Sequence, residues 1–324
     1  MRQSSVIGVA LVVFLGAASH AAAHGGGSEG LADHWWDAWT FSPFQIVPTA
    51  IVAALYAVRA RKLGKRLPIW RRMCFYSGLL LFLLAIMSPI DAVGEDGLFA
   101  VHMFQHAIIG GFAPVLVVLG LTGPVLQPIL KFHWVQRLSI LAHPLIALPL
   151  WMATLVFWHV PVIYEFGIEN DIAHAIEHGM FFGTSVLLWF PILEPLPAPE
   201  WFGTGAKLIY LGILWFSGVV FVNFLWFSGT VLYDRYAETA PEWGVSALQD
   251  QGNAGTVFMA EHLLLTLSAL VIYGFKFASE SAARQKLIEA GLDREAVARA
   301  VRHGRADALA KRAGVTLKTR PGID

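Results

Sequence analysis

LFAVHMFQHAIIGGFAPVLVVLGL, residues Leu98–Leu121, contains no Asp, Glu, Lys or Arg. A helix crosses bilayer hydrocarbon with about 20 predominantly apolar residues, so this stretch reads as a membrane span. Six more apolar runs lie around it, approximately Phe44–Arg59, Phe75–Pro89, Leu141–Val160, Ile172–Leu193, Lys207–Phe227 and Ala254–Phe277. The first two of the seven are short for a span. Pro89, Pro124, Pro161 and Pro191 punctuate run ends. Gly110, Gly111 and Pro114, inside the quoted stretch, predict a kink or a close helix contact. The expected fold class is all-α: a polytopic membrane helix bundle of about seven transmembrane helices.

Composition agrees. The 324 residues are 56% hydrophobic and 14% charged, against about 25% charged in soluble domains. The single cysteine, Cys74, allows neither an intrachain disulfide nor a CxxC metal motif. A metal site must therefore use His, Met, Asp or Glu. No P-loop, dinucleotide fingerprint or nucleic-acid module is present.

Loop charge sets the expected orientation. Arg59, Arg61, Lys62, Lys65, Arg66, Arg71 and Arg72 crowd the first connection, which is therefore expected to be cytoplasmic. The second carries Asp91, Glu95 and Asp96 with no base, and the third Lys131 and Arg137. Glu165, Glu169 and Asp171 mark the fourth, and Asp234, Glu238, Glu242 and Asp250 the sixth. This alternation predicts the N-terminus outside and the C-terminus in the cytoplasm of a bacterial inner membrane. Residues 1–23 read as a signal peptide, with Arg2, an apolar Val6–Ala18 segment and Ala21-Ala22-Ala23 before the cleavage point. Residues 24–43 form an expected periplasmic leader in which Trp35, Trp36, Trp39, Phe41 and the adjoining Phe44 make an interfacial aromatic cluster. Residues 44–279 are the transmembrane domain, and 280–324 a basic amphipathic cytoplasmic tail without a core of its own.

With that topology the odd-numbered spans begin at the outer face. The third opens on His102-Met103-Phe104-Gln105-His106 and the fifth on His174-Ala175-Ile176-Glu177-His178. Spacing of i,i+4 puts each pair on one helix face. His159 ends the fourth span, and Met259, Glu261 and His262 lie near the outer end of the seventh. Ionisable groups inside spans are costly and default to a functional role. Imidazole suits copper, zinc, iron and haem alike. His102, His106, His174 and His178 are thus the primary candidate ligands, with His159 and His262 next. Asp171, Glu177, Glu261, Asp250, Met103 and Met259 are supporting or alternative ligands. For each methionine, core packing is the competing explanation.

The order and spacing of several motifs resemble the bacterial cytochrome c oxidase assembly factors of the CtaG type. These are His102–His106 with the Pro114–Gly120 stretch, Trp158-His159-Val160-Pro161 with Tyr164, His174–His178 through Trp189-Phe190-Pro191, and Ser246–Gln251 with Ala254-Gly255. Glu261-His262 departs from that pattern, which is mainly apolar there. The resemblance implies a non-enzymatic role in building a haem–copper oxidase, with copper as the metal handled. It implies an oxidase subunit, a periplasmic copper carrier and the lipid bilayer as partners, and no nucleic acid. The residues themselves leave three alternatives open: a haem b redox protein, a copper transporter, and a scaffold that binds no metal. Zinc also fits the donor set.

Overall fold

A computed structural model describes residues 31–41 and 43–317, the side chain of Phe44 excepted. The expected signal peptide and residues 24–30 of the leader lie outside these residues. Every regular element among the described residues is helical. The described residues form two compact units: those up to Ala198 with Trp215–Leu265, and Pro199–Leu214 with those from Thr266 onward.

The first unit begins with α1 (Pro43–Leu63) and α2 (Ile69–Met87), followed by the short α3 (Pro89–Asp96). The stretch quoted above starts as α4 (Phe99–Ala107), passes through a π-helical segment at Ile108–Phe112, and ends as α5 (Ala113–Gly120). Pro114 has no N–H to give the carbonyl at Gly110, so the α-helical ladder cannot run through this point. Widening to π geometry is the local answer, and it fulfils the expectation of an irregularity there. Beyond lie α6 (Pro144–Trp158), α7 (Pro161–Glu169) and α8 (Asp171–Leu193). Two longer helices, α9 (Thr204–Phe227) and α11 (Ala247–Glu289), each contribute to both units, with the short α10 (Asp234–Thr239) between them.

Among the described residues, five stretches are long and apolar enough to cross a membrane: α2, Phe99–Gly120, α8, α9 and α11. A sixth arises if His133–Ala142 and α6, which meet at a 74° bend, count as one span. The first expected run is the 21-residue α1. Its apolar length is curtailed because Arg59, Arg61 and Lys62 fall in its last turns. Phe99–Gly120 is the most enclosed of the five, with 67% of its apolar window buried against 33% for α2.

Small residues bring α2 against α5. A Cβ at Gly78 would stand 2.7 Å from the Ala113 carbonyl oxygen, and one at Gly120 would stand 2.5 Å from Phe75 Cβ. Tyr56 stacks on Phe75 at 3.7 Å and donates to the Gly120 carbonyl at 3.0 Å. The basic first connection also has structural work. Arg71 donates to Leu119 and Leu121 carbonyls at 2.9 and 3.1 Å, satisfying acceptors that the end of α5 leaves open.

The tail differs from expectation. Leu287, Val297, Val301 and Ala310 are buried together, flanked by Ile288, Leu292 and Leu309. The end of α11, α12 (Arg294–Arg302) and α13 (Ala306–Arg312) thus enclose a small core of their own. Asp293 caps α12 by accepting from Ala296 N at 2.9 Å. The expectation of a tail without a core therefore does not hold, because these apolar side chains pack on one another.

Candidate metal centre

Two side chains from outside the helices they terminate decide where the histidines sit. The N-terminus of α4 has no cap of its own. Asp250, from the first turn of α11, supplies one across the fold, its carboxylate accepting from Phe99 N at 2.7 Å and Ala100 N at 3.1 Å. Gln251 holds the preceding loop, accepting from Leu232 N at 2.9 Å and donating to the Leu225 carbonyl at 3.2 Å. The Asp-Gln motif is therefore a clamp, and Asp250 is occupied as a helix cap. At α8, Asn170 caps by accepting from Ala173 N at 3.0 Å, which starts the helix so that His174, Glu177 and His178 turn inward.

The i,i+4 pairs then face each other. Ring centroids of His102 and His106 are 4.3 Å apart, and those of His174 and His178 are 4.2 Å apart. Across the helices, His102 and His174 stack at 5.8 Å while His106 and His178 meet edge-on at 5.3 Å. One ring nitrogen each from His102, His106 and His174 lie within 4.8 Å of one another. His159 joins from the end of α6, its ring 6.4 Å from that of His106. Its Nδ1 is 2.8 Å from the Leu155 carbonyl and donates to it, leaving Nε2 as the free lone pair.

These groups are buried and unsatisfied. Both ring nitrogens of His102 and His106, Nε2 of His159, His174 and His178, and both carboxylate oxygens of Glu177 have no hydrogen-bond partner. Glu177 is fully buried, with Oε1 3.7 Å from His106 Nε2. Each buried polar group left unpaired costs about 1–3 kcal/mol, and these lone pairs are gathered in one cluster whose geometry could hold a cation. Soft-to-borderline imidazole donors with one carboxylate match copper or zinc.

The remaining predicted ligands fall elsewhere. Asp171 is exposed in the first turn of α8. His262 lies between Trp151 and Phe258, its ring parallel to both at 6.1 and 5.5 Å. Glu261 packs against Gly111 of the π segment. Met103 is buried among the core residues and Met259 is half-buried on α11.

Sequence reasoning missed Glu95. Its Oε1 lies 2.7 Å from His174 Nδ1. The signal was available: an acidic connection with no base, on the same predicted side as the histidines. The short α3 that carries Glu95 is pinned on several sides. Gln105 donates to the Asp91 carboxylate at 2.5 Å and to the Ala85 carbonyl at 3.0 Å. Arg235 donates to the Glu95 carbonyl at 2.6 Å and pairs with Asp96. Tyr236 donates to the Gly94 carbonyl at 2.7 Å, which leaves Tyr164 as the donor in the 2.8 Å bond between the two hydroxyls. Tyr233 donates to the His159 carbonyl at 3.0 Å. Burial raises the pKa of all three phenols, so they remain protonated donors.

Burial, reinforced by neighbouring Glu95, pushes Asp91 up to about 8. An acid whose folded pKa is raised binds more protons folded than unfolded, so its contribution falls as pH rises from about 4 to 8. Asp91→Asn keeps an acceptor for Gln105 and removes that titration. Thermal melts of the metal-free protein between pH 4 and 8 should therefore decline less with pH in the variant than in the wild type.

Comparison with known protein families matches residues 51–280 to the cytochrome c oxidase caa3 assembly factors (Caa3_CtaG). The chain belongs to this family. No curated protein and no solved structure matches it. The match spans every histidine of the cluster together with Glu95, the Asp250 clamp and the tyrosine frame, so the caa3 assembly factor family covers the whole candidate centre. The leader and the tail core lie outside it.

Proposed function

We propose that this protein handles copper for the assembly of a haem–copper cytochrome c oxidase, holding the ion as cargo at the histidine centre without catalysing a reaction. The observation that carries this is the convergence of one ring nitrogen each from buried His102, His106 and His174 within 4.8 Å, in a cluster where all three carry a ring nitrogen without a hydrogen-bond partner. His178 and His159 complete the donor set, and Glu177 supplies negative charge to balance a cation in a dry site.

In this reading the chain crosses the inner membrane seven times, with the N-terminus outside and the C-terminus in the cytoplasm. The positive first connection and the acidic second, fourth and sixth connections support that arrangement. The centre then opens toward the periplasm, where a soluble copper carrier delivers the ion and an oxidase subunit accepts it. The signal peptide at 1–23 belongs to the same topology.

The packing disfavours haem b. Bis-histidine ligation needs two imidazoles separated by the macrocycle plane. Here four rings touch at centroid separations of 4.2–5.8 Å, which is a small-ion arrangement.

The test is metal content and the visible spectrum of the purified, copper-exposed protein. A variant with His102, His106, His174 and His178 all changed to alanine is measured beside it. Copper near one equivalent in the wild type, absent from a folded variant, is the expected result. A haem spectrum lost in the variant would replace copper handling with a redox role. If the wild type holds neither, a scaffold without metal is the better account.

A further inference from the structure

His174 has two nitrogens in different surroundings. Nδ1 meets Glu95 Oε1 at 2.7 Å, whereas Nε2 is buried without a hydrogen-bond partner, and one ring nitrogen of His174 lies within 4.8 Å of nitrogens of His102 and His106. A neutral imidazole carries its proton on one nitrogen only, and a carboxylate is a pure acceptor. If the proton moved to Nε2, Nδ1 and Glu95 would present two acceptors to each other, and an N–H would occupy the place of a lone pair in the centre.

Glu95 itself is held in place. Its backbone carbonyl accepts from Arg235 at 2.6 Å, the preceding Gly94 carbonyl accepts from Tyr236 at 2.7 Å, and the following Asp96 pairs with Arg235. Its side chain is 20% exposed while that of His174 is 9% exposed. The bond between them therefore runs from the partly solvated edge of α3 into the dry centre.

From this geometry we propose that Glu95 is a positioning residue for the metal centre: it fixes His174 as the Nδ1–H tautomer and aims the Nε2 lone pair at the cation. The proposal rests on the copper-handling role, and it adds to it the device that makes one ligand competent. A carboxylate behind a ligating imidazole also raises its basicity, and removing such a partner costs about 10–100-fold in metal affinity.

Nitrogen NMR of histidine-labelled, metal-free protein reads the tautomer directly, with the His174 signals assigned by their loss in His174→Gln. Cuprous-ion affinity is measured in parallel by competition with a chromophoric chelator. The wild type should show His174 protonated on Nδ1 only. Glu95→Ala should populate the Nε2–H tautomer and bind copper about 10–100-fold more weakly, with an unchanged circular dichroism spectrum. Glu95→Gln, whose amide oxygen still accepts from Nδ1, should recover most of both properties, which general loosening of α3 does not predict. Three results overturn the proposal: His174 remaining Nδ1–H in Glu95→Ala, His174 protonated on both nitrogens in the wild type, or equal affinity in Glu95→Ala and wild type. Because the tautomer is read without metal, a wild type that binds no copper overturns the copper-handling role while the NMR still decides the role of Glu95.

Discussion

His102→Leu is expected to weaken copper binding by about 100-fold while leaving the metal-free protein at least as stable as the wild type. The first part follows from ligand count. Structural ions held by about four donors are bound by roughly 10–16 kcal/mol, so one donor is worth about 3 kcal/mol, or about two decades in affinity. The second part follows from the unpaired nitrogens. His102 is fully buried and neither ring nitrogen has a partner. An apolar residue of similar size removes a desolvation cost of about 1–3 kcal/mol per group without leaving a hole. Adding His106→Leu should cost less than the product of the single losses, because the two rings touch and serve one ion. Chelator competition and thermal melts of the same four proteins check both parts. A metal-free His102→Leu that melts well below the wild type would show that the histidines hold the fold together instead of waiting for a cation.

Asp250→Ala should have the largest effect on stability, and it should lose copper without touching a ligand. Asp250 is 1% exposed and accepts from the first two amides of α4. Hydrogen bonds to a charged acceptor contribute about 1.5–3 kcal/mol each, and two buried N–H groups would be orphaned. A destabilisation of about 3 kcal/mol follows, roughly 5–10 °C in melting temperature. Asp250→Asn keeps one acceptor and should lose about half as much. His102 begins one turn after the capped amides, so fraying there disorders the first ligand. Melting curves and copper stoichiometry test the two halves separately. Normal stability with lost copper would instead make Asp250 a ligand.

The helical architecture was legible because spans are written in long apolar runs, and the His102/His106 and His174/His178 pairs were legible because i,i+4 spacing is a helix rule. What spacing does not encode is helix rotation. It could not show that Asp250 reaches back to α4, that Asp171 stays exposed, or that His262 slots between Trp151 and Phe258. Glu95 was hidden for a different reason. As a charge in a loop it served to orient the chain, and only the fold shows the same carboxylate against His174. The small core of the tail was misjudged because each of its helices is amphipathic alone, and amphipathic patterning does not say whether the partner is a surface or another helix.

The π segment at Ile108–Phe112 stores one residue in the Phe99–Gly120 stretch. A π turn closes i→i+5 where an α turn closes i→i+4, so these five residues cover about the rotation of four. Deleting one residue there would tighten the turn to α geometry and leave His102 and His106 still facing α8. Deleting a second would leave nothing to absorb the change and would swing both rings by about 100°. The centre therefore tolerates one loss of chain length at this point and no more.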